Sequence, residues 1–277
     1  MASQKQLIVV KSNKLVEASY RLDLIEQRII LYAIMEARET QKGLTDDFVT
    51  IEAKRFSSMF KMEGGAVYNQ LKTAMDTLFN RHIVVHDIHP ESGCERVSKV
   101  RWISTASYID GAGAVQLRFS TDMLPYITRL ETEFTSYRLE KIGRMSSVHA
   151  VRLYELLVQY LSIGKREVGI AWLKETFGMT DEYPRIDSLK KRVIDVAVAQ
   201  INEFSDIRVS YTQRKTGRTV THLLFAITPE LKPTHTKHKS GKSRKLTDAE
   251  VAKRARPGES WEAAHTRLNQ ISLALVE

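Results

Sequence analysis

The chain has 277 residues, 43% hydrophobic and 27% charged, a composition typical of folded globular proteins and not of disordered ones. A single cysteine, Cys94, excludes an internal disulfide framework. The N-terminal apolar run is too short for a signal peptide, and no stretch approaches the length of a membrane span, so we expect a cytoplasmic protein without a membrane partner. The net charge of +9 is divided unevenly: zero over 1–135, +4 over 136–231 and +5 over 232–277. A basic excess confined to the second half favours a polyanionic partner such as nucleic acid, although basic charge can also serve solubility alone.

Hydrophobic periodicity predicts one order of secondary-structure elements that occurs twice along the chain. The first copy begins with an amphipathic helix and closes with strands. Its predicted elements are a helix over 24–37, a short strand over 48–53, helices over 54–62 and 66–80, and strands over 82–88, 98–109 and 114–120.

The second copy follows the same order. It comprises a helix over 146–161 with Ser146 or Ser147 as the N-cap, a stretch over 167–179, a helix over 185–204, and strands over 207–212 and 219–227. Apolar residues at corresponding points are separated by between 117 and 124 positions. The four pairs are Ile51 with Ile170, Phe60 with Phe177, Leu71 with Leu189, and Ile83 with Ile207. This agreement predicts an internal duplication.

Helix, short strand, helix, helix and hairpin is the element order of a winged helix, in which the third helix enters the DNA major groove. We therefore predict an α+β protein with two tandem winged-helix domains related by internal duplication, and a flexible basic C-terminal tail. The predicted boundaries are an N-terminal arm over 1–14, a first domain over 15–135, a second domain over 136–231 and a tail over 232–277 with short helices. The alternative is a generic α+β fold whose third helix is merely amphipathic.

The third helix of the second copy carries a basic outer face. Its predicted core stripe consists of Leu189, Val193, Val196 and Ala197. The side chains predicted to face DNA are Arg185, Ser188, Lys190, Lys191 and Arg192. Cations in the first turns of a helix oppose its dipole, by a few tenths of a kcal/mol each, and phosphate contact would offset this penalty. The placement favours a functional face over a merely solvated one.

The third helix of the first copy is more neutral. Its predicted core stripe is Val67, Leu71, Met75 and Leu78. The outer candidates are Asn69, Lys72 and Thr73, whose contacts with DNA should depend on hydrogen bonds more than on charge. A solvated surface explains these residues equally well.

The hairpin "RVSYTQRKTGRTVTHLLFAI" over 208–227 follows the basic helix, and Gly217 is predicted to supply its tight turn. Basic and polar side chains surround this turn. The candidates for DNA contact are Arg214, Lys215, Arg218 and Thr219. We expect them to hold the DNA backbone and not to select bases.

Three separated segments, over 10–34, 134–157 and 184–227, resemble the iteron-binding plasmid replication initiators, including the "RLYELL" helix and the basic "KTGR" turn. The resemblance implies tandem winged-helix domains, with the basic helix and hairpin as recognition helix and wing. It also implies binding to directly repeated sequences of double-stranded origin DNA, opening of an adjacent AT-rich region, and recruitment of the host initiator and replicative helicase. Homodimers, formed through the first domain, would repress the initiator's own gene.

Two alternatives belong to other functional classes. A purely regulatory repressor of the same fold would bind DNA without recruiting a helicase. A rolling-circle relaxase-type nuclease needs a His-hydrophobe-His metal site and a tyrosine nucleophile, for which Tyr154 and Tyr160 are candidates. The string "HDIH" spaces its histidines one residue too far apart for that site, and Tyr154 falls on a packed helical stripe.

No other motif predicts catalysis or a cofactor. The string "SGKS" over 240–243 resembles the end of a phosphate-binding loop, but Thr236 occupies the position where that loop requires glycine. His82, His86 and His89, with Cys94 nearby, lack the spacing of a known zinc site, and surface or half-buried strand histidines explain them better. We therefore predict no catalytic residue, no metal and no cofactor.

Overall fold

The computed structural model describes residues 7–40, 47–62, 66–128 and 133–230. The predicted tail and its helices lie outside the described residues. The described elements of the first half, in chain order, are β1 (Ile8–Ser12), α1 (Asn13–Glu17), α2 (Leu24–Thr40), β2 (Val49–Glu52), α3 (Ala53–Phe60), α4 (Val67–Leu78), β3 (His82–Ile88), β4 (Glu95–Arg101), β5 (Ile103–Ile109), β6 (Ala114–Phe119), α5 (Leu124–Ile127) and β7 (Phe134–Arg138).

The described second half contains four helices, of which the last two are continuous, and three strands. They are α6 (Val148–Val158), β8 (Lys165–Gly169), α7 (Ile170–Thr176), α8 (Ile186–Leu189), α9 (Asp195–Phe204), β9 (Ile207–Thr216) and β10 (Thr219–Pro229). A π-helical segment, Lys190–Ile194, joins α8 to α9 without a break. We call this continuous element the α8–α9 helix.

Sheet topology confirms two winged helices. In each half the short strand after the first long helix pairs with the last strand of the hairpin, which gives antiparallel sheets in the orders β2-β6-β5 and β8-β10-β9. Three helices precede the β5–β6 or β9–β10 hairpin in each half: α2, α3 and α4 in the first, and α6, α7 and the α8–α9 helix in the second. All described residues belong to one compact unit, so the two winged helices pack against each other.

Two of the four predicted correspondences between the copies are wrong. Ile83 lies in β3, whereas the counterpart of β9 with Ile207 is β5, because β3 and β4 form an additional hairpin before the first wing. Ile51 is the penultimate residue of β2, so its counterpart is Val168 and not Ile170, which begins α7. Hydrophobic alternation alone does not distinguish an inserted hairpin from the wing.

The other two correspondences are confirmed. Phe60 and Phe177 are buried at the ends of α3 and α7, and Leu71 and Leu189 are buried in the third helices. The predicted strand over 98–109 is interrupted at Trp102, whose buried indole meets the edge of the Tyr20 ring at 5.0 Å between ring centroids. A large ring fixed in the core turns the chain from the additional hairpin into the wing.

Helix starts follow local capping chemistry. The Asp23 carboxylate accepts the Glu26 N–H at 2.8 Å and the Glu26 carboxylate accepts the Asp23 N–H at 2.7 Å, a reciprocal capping box before α2. At α6, Ser147 is the N-cap and accepts the Ala150 N–H at 3.3 Å. Of the two predicted caps, Ser147 is therefore confirmed.

Buried Arg152 of α6 joins the two halves. Its guanidinium donates to the carbonyls of Val16 at 3.1 Å, Ala18 at 2.9 Å and Thr176 at 3.1 Å, and it lies over the Tyr20 ring at 3.7 Å. Two of the carbonyls come from the first half and one from the second. Since a guanidinium has five N–H donors in a fixed plane, it holds these segments in one geometry.

A second buried group, Glu155 of α6, lies one helical turn further on. Lys11 of β1 donates to its carboxylate at 2.7 Å, the Tyr137 hydroxyl of β7 donates to the same oxygen, and both charged side chains are at most 1% exposed. Strand β1, which covers residues of the expected N-terminal arm, pairs antiparallel with β7. The chain before the first winged helix is thereby held against α6.

We expect Gly178→Ala to destabilise the fold by about 1–3 kcal/mol, because Gly178 has φ +64° and alanine is strained in the left-handed region. An added Cβ would also lie 3.0 Å from the Arg21 Cβ and 3.2 Å from the Tyr20 carbonyl oxygen. Thermal or denaturant unfolding measures the loss. Gly111→Ala is the control, since Gly111 has no such φ and no atom within 4 Å of an added Cβ. Equal stability of the two variants would contradict the prediction.

Candidate nucleic-acid interface

The α8–α9 helix presents its predicted basic face to solvent. Lys191 and Arg192 are exposed, and neither makes an ion pair within the described chain. Lys190 is half-buried and donates to the Gln213 side-chain oxygen on the wing at 3.2 Å. Ser188 is half-buried, and Arg185 is exposed in extended conformation directly before α8. All five predicted residues therefore lie at the N-terminal end of the α8–α9 helix. Two of them, Lys191 and Arg192, are exposed and free of acidic partners in the described chain, so they can contact DNA.

The π-helical segment changes which residues of this helix are buried. Leu189, Val193 and Ala197 are buried as predicted, but Val196 is 39% exposed and Ile194 is buried instead. A π turn accommodates one extra residue, so a stripe drawn at 100° per residue loses its phase after it. The prediction for Val196 is thus wrong. The same extra residue lies within Lys190–Ile194, the segment that carries the exposed cations.

The wing extends beyond its sheet. Gly217 has φ +61° at the first position of a two-residue turn between Thr216 and Thr219, which confirms its predicted role. Every residue over 212–219 is exposed. Lys215 and Arg218 make no ion pair with any residue that the structure describes, and Thr219 begins β10.

Arg214 differs from its neighbours on the wing. Its Nε donates to the Glu167 carboxylate of β8 at 2.5 Å, and both side chains are about half exposed. Because this acidic partner offsets its positive charge, Arg214 should attract DNA phosphates less strongly than Lys215 or Arg218. Sequence reasoning missed this pair because its members are 47 residues apart.

In the first winged helix, Asn69 and Thr73 lie exposed on α4 and line a shallow cavity of about 350 Å³. Lys72 already has partners within the protein. Its ammonium lies 3.0 Å from the Asp110 carboxylate at the wing tip and close to the rings of Tyr68 and Tyr108. The predicted buried stripe of α4 is confirmed at every position.

The Asp110 carboxylate is the centre of this cluster. The Tyr68 hydroxyl donates to it at 2.7 Å, and this hydrogen bond, followed by that of Lys72, lowers the pKa of Asp110 and raises that of Tyr68 to about 12. The Tyr108 hydroxyl donates to Asp76 of α4. The tip of the first wing is therefore acidic, and its side chains bond to side chains of α4. The second wing is basic.

The candidate nucleophile Tyr154 is buried. Its hydroxyl donates to the Asp206 carboxylate at 3.0 Å, and burial, followed by Asp206, raises its pKa. Tyr160 is half-buried beneath the Arg166 guanidinium, 4.4 Å from the ring centroid. In the described ranges, no group of three or more His, Cys, Asp or Glu side chains is arranged to hold a metal ion.

Two family models match the chain. The first, the WH1 domain of the initiator replication proteins, matches residues 8–158, and the second, the WH2 domain of initiator Rep proteins, matches residues 169–227. The chain belongs to the initiator replication protein family. The first match contains the first winged helix and extends through α6, and the second runs from Gly169 at the end of β8 into β10. We call the two winged helices WH1 and WH2 below.

The chain is also similar to individual proteins. The crystal structure of the Pi initiator protein in complex with iteron DNA is similar with a TM-score of 0.67 at 22% identity, over 81% of this chain and 98% of that chain. The WH1 domain of MSBI1.176, a replication protein isolated from a multiple sclerosis patient, is 36% identical over 40% of this chain and 81% of its own, with a TM-score of 0.34. An uncharacterized 27.6 kDa protein of Escherichia coli is 25% identical over 239 residues, 83% of this chain and 97% of that protein. None of the helices described for this initiator combines the length and apolar character that a membrane crossing requires.

Proposed function

We propose that this initiator acts on a plasmid in the cytoplasm and binds directly repeated origin sequences, or iterons, as double-stranded DNA. One observation carries the proposal: Lys191 and Arg192 of the third WH2 helix lie exposed without an acidic partner in the described chain, beside a wing that exposes Lys215 and Arg218. Unneutralised cations on a helix and the adjacent hairpin form the electrostatic footprint of a DNA-binding face. The Pi initiator, which has the same fold, was crystallised with iteron DNA.

Within this proposal the two winged helices have different tasks. The α8–α9 helix of WH2 reads base edges in the major groove, with Arg185, Ser188 and Lys190 at its margin, and the wing with Arg214 and Thr219 grips the backbone. On WH1, Asn69 and Thr73 supply hydrogen bonds. Lys72 contributes less charge because Asp110 holds it.

Further parts of the proposal concern partners. Bound monomers open an adjacent AT-rich region and recruit the host initiator and replicative helicase. Homodimers formed through the first domain, 15–135, repress the initiator's own gene. We propose no catalytic step, since buried Tyr154 is placed for packing and not for attack on a phosphate.

Footprinting on the DNA that flanks the gene tests the proposal. We expect protection of direct repeats, and an affinity for one repeat at least about 10³-fold above that for a scrambled duplex at physiological salt. Equal affinity for repeat and scrambled DNA would refute it. Incubation with a supercoiled origin plasmid and Mg²⁺ or Mn²⁺ should yield no nicked DNA and no covalent product, and either product would establish the nuclease instead.

We expect Arg218→Ala to weaken binding to repeat and scrambled DNA by the same factor and to reduce the salt slope of log K by about one unit, as for one lost phosphate contact. Fluorescence anisotropy over a range of salt concentrations measures both quantities. Arg208→Ala is the matched control, because Arg208 lies at the opposite end of β9 and pairs with Glu230 at 2.6 Å. An unchanged slope for Arg218→Ala would remove this residue from the interface.

A further inference from the structure

A groove of about 500 Å³ lies in WH2 between α7, the turn that precedes the α8–α9 helix, and the wing tip. Lys174 comes from α7, Arg185 from the turn and Arg218 from the wing, so three separate elements each place one cation on its lining. Ile170 and Val220 contribute apolar surface to the same groove. Two of the three cations were predicted as DNA contacts from the sequence, and Lys174 was not.

The charge of this groove is not balanced. Asp187 is the one acidic residue among its lining residues. None of Lys174, Arg185 and Arg218 forms an ion pair with a described residue of the chain. The neighbouring acids have other partners: Glu175 approaches His86 at 3.8 Å and Glu182 pairs with Arg21 at 2.5 Å. Three cations that share a groove with a single acid leave it positively charged and repel one another, and an anion in the groove relieves that repulsion.

The backbone of the turn supports a role in binding. Tyr183, which lines the groove, has φ +50°, a left-handed conformation that is uncommon for a bulky residue. Such strain is retained where the surroundings determine it, and it concentrates at binding sites. Here it reverses the chain just before Pro184 and brings Arg185, in extended conformation, to the edge of the groove.

We propose that this groove seats the sugar–phosphate backbone of duplex DNA, and that Lys174 of α7 is a phosphate ligand together with Arg185 and Arg218. The inference rests on the proposed function and adds to it a contact from the second helix of the winged helix. A DNA strand is the occupant that fits, because the groove runs from the start of the recognition helix to the wing tip, the two elements between which the backbone of a bound duplex passes. The apolar surface of Ile170 and Val220 suits the sugar rings.

The test compares Lys174→Ala with Lys174→Arg and with Lys165→Ala in the full chain. Lys165 is an exposed lysine at the far end of β8, about four strand residues from the groove, and makes no ion pair in the described part of the chain. Affinities for one repeat and for a scrambled duplex are measured by anisotropy between 50 mM and 400 mM salt. Thermal unfolding of each variant confirms that it is folded.

For Lys174→Ala we expect the salt slope to fall by about 0.9 and both affinities to fall about fivefold at 0.15 M salt, as for one lost phosphate contact. Lys174→Arg should retain the slope, and Lys165→Ala should match the wild type. A wild-type slope and affinity for Lys174→Ala would overturn the groove proposal, even while wild-type protein still prefers the repeat. If the wild type shows no such preference but Lys174→Ala still loses slope, the iteron proposal fails and the groove stands. Binding of polyglutamate, an acidic polypeptide, is measured in the same way. If Lys174→Ala weakens binding of polyglutamate and leaves DNA binding unchanged, the groove binds an acidic protein and the DNA proposal is overturned.

Discussion

Glu155→Ala is expected to lower the free energy of unfolding by about 3–5 kcal/mol, because it leaves a buried ammonium without its counter-charge. Lys11, 1% exposed, donates to this carboxylate at 2.7 Å, and the Tyr137 hydroxyl donates to it as well. Both groups would remain in the interior after the substitution, without the acceptor around which they pack. Urea unfolding followed by circular dichroism measures the change from the transition midpoint and slope.

The paired control is the double variant Lys11→Met/Glu155→Leu. It removes both charges and nearly preserves volume, and such replacements of a buried ion pair are often neutral or stabilising. We expect it to recover part of the stability that Glu155→Ala loses, because the Tyr137 hydroxyl and the buried Arg152 guanidinium, 4.0 Å from the Glu155 carboxylate, still lose their partner. A loss below about 1 kcal/mol for Glu155→Ala would show that the pair is not isolated from water, since exposed pairs contribute that little.

The second large effect concerns DNA specificity. Lys191→Ala and Arg192→Ala should each lower the affinity for the repeat by about 1–3 kcal/mol, or roughly 5- to 150-fold, if the side chain contacts a base edge. Both residues are exposed on the outer side of the π-helical segment, so their removal should leave the fold intact. Anisotropy with repeats mutated at single base pairs would show relaxed specificity at one position.

Two comparisons make this result interpretable. Lys165→Ala removes the same type of charge from the same domain at the far end of β8. The scrambled duplex separates base contacts from phosphate contacts, because equal weakening on both duplexes would mean that the side chain touches phosphate alone. That outcome would move base selection in WH2 to other residues.

Much of the fold follows from local pattern. Helical and alternating periods predicted the main helices and strands of the two winged helices in order, although β4 and β5 were predicted as one strand and β1, α1, α5 and β7 were not predicted. Ser147 and Gly217 took the roles that their capping and turn chemistry predicts. The π-helical segment did not follow, because the choice between a π and an α turn depends on tertiary packing around Val193 and Ile194. For the same reason the exposure of Val196 could not be read from a regular helical wheel.

The residues of the candidate site likewise fall into those that local sequence indicates and those that only the tertiary structure reveals. Charge on one helix and its wing indicated Lys191, Arg192 and Arg218, since the members are close in sequence. Neutralisation of Lys72 by Asp110, across 38 residues, depends on which wing meets which helix. The contribution of Lys174 depends on three elements that meet only after folding. Sequence therefore identified the cations of the helix and wing but not Lys174, and the tertiary structure decided which of them have an acidic partner within the protein.

Arg152, fixed between carbonyls of both halves, has a consequence for the DNA sequence itself. With WH1 and WH2 joined by a buried guanidinium and not by a loose linker, the bases that each contacts must occur at one separation and one helical phase. A single inserted base pair shifts the far contacts by about 3.4 Å and rotates them around the duplex by about a tenth of a turn. The repeats that this protein accepts should therefore tolerate base changes more readily than changes in length.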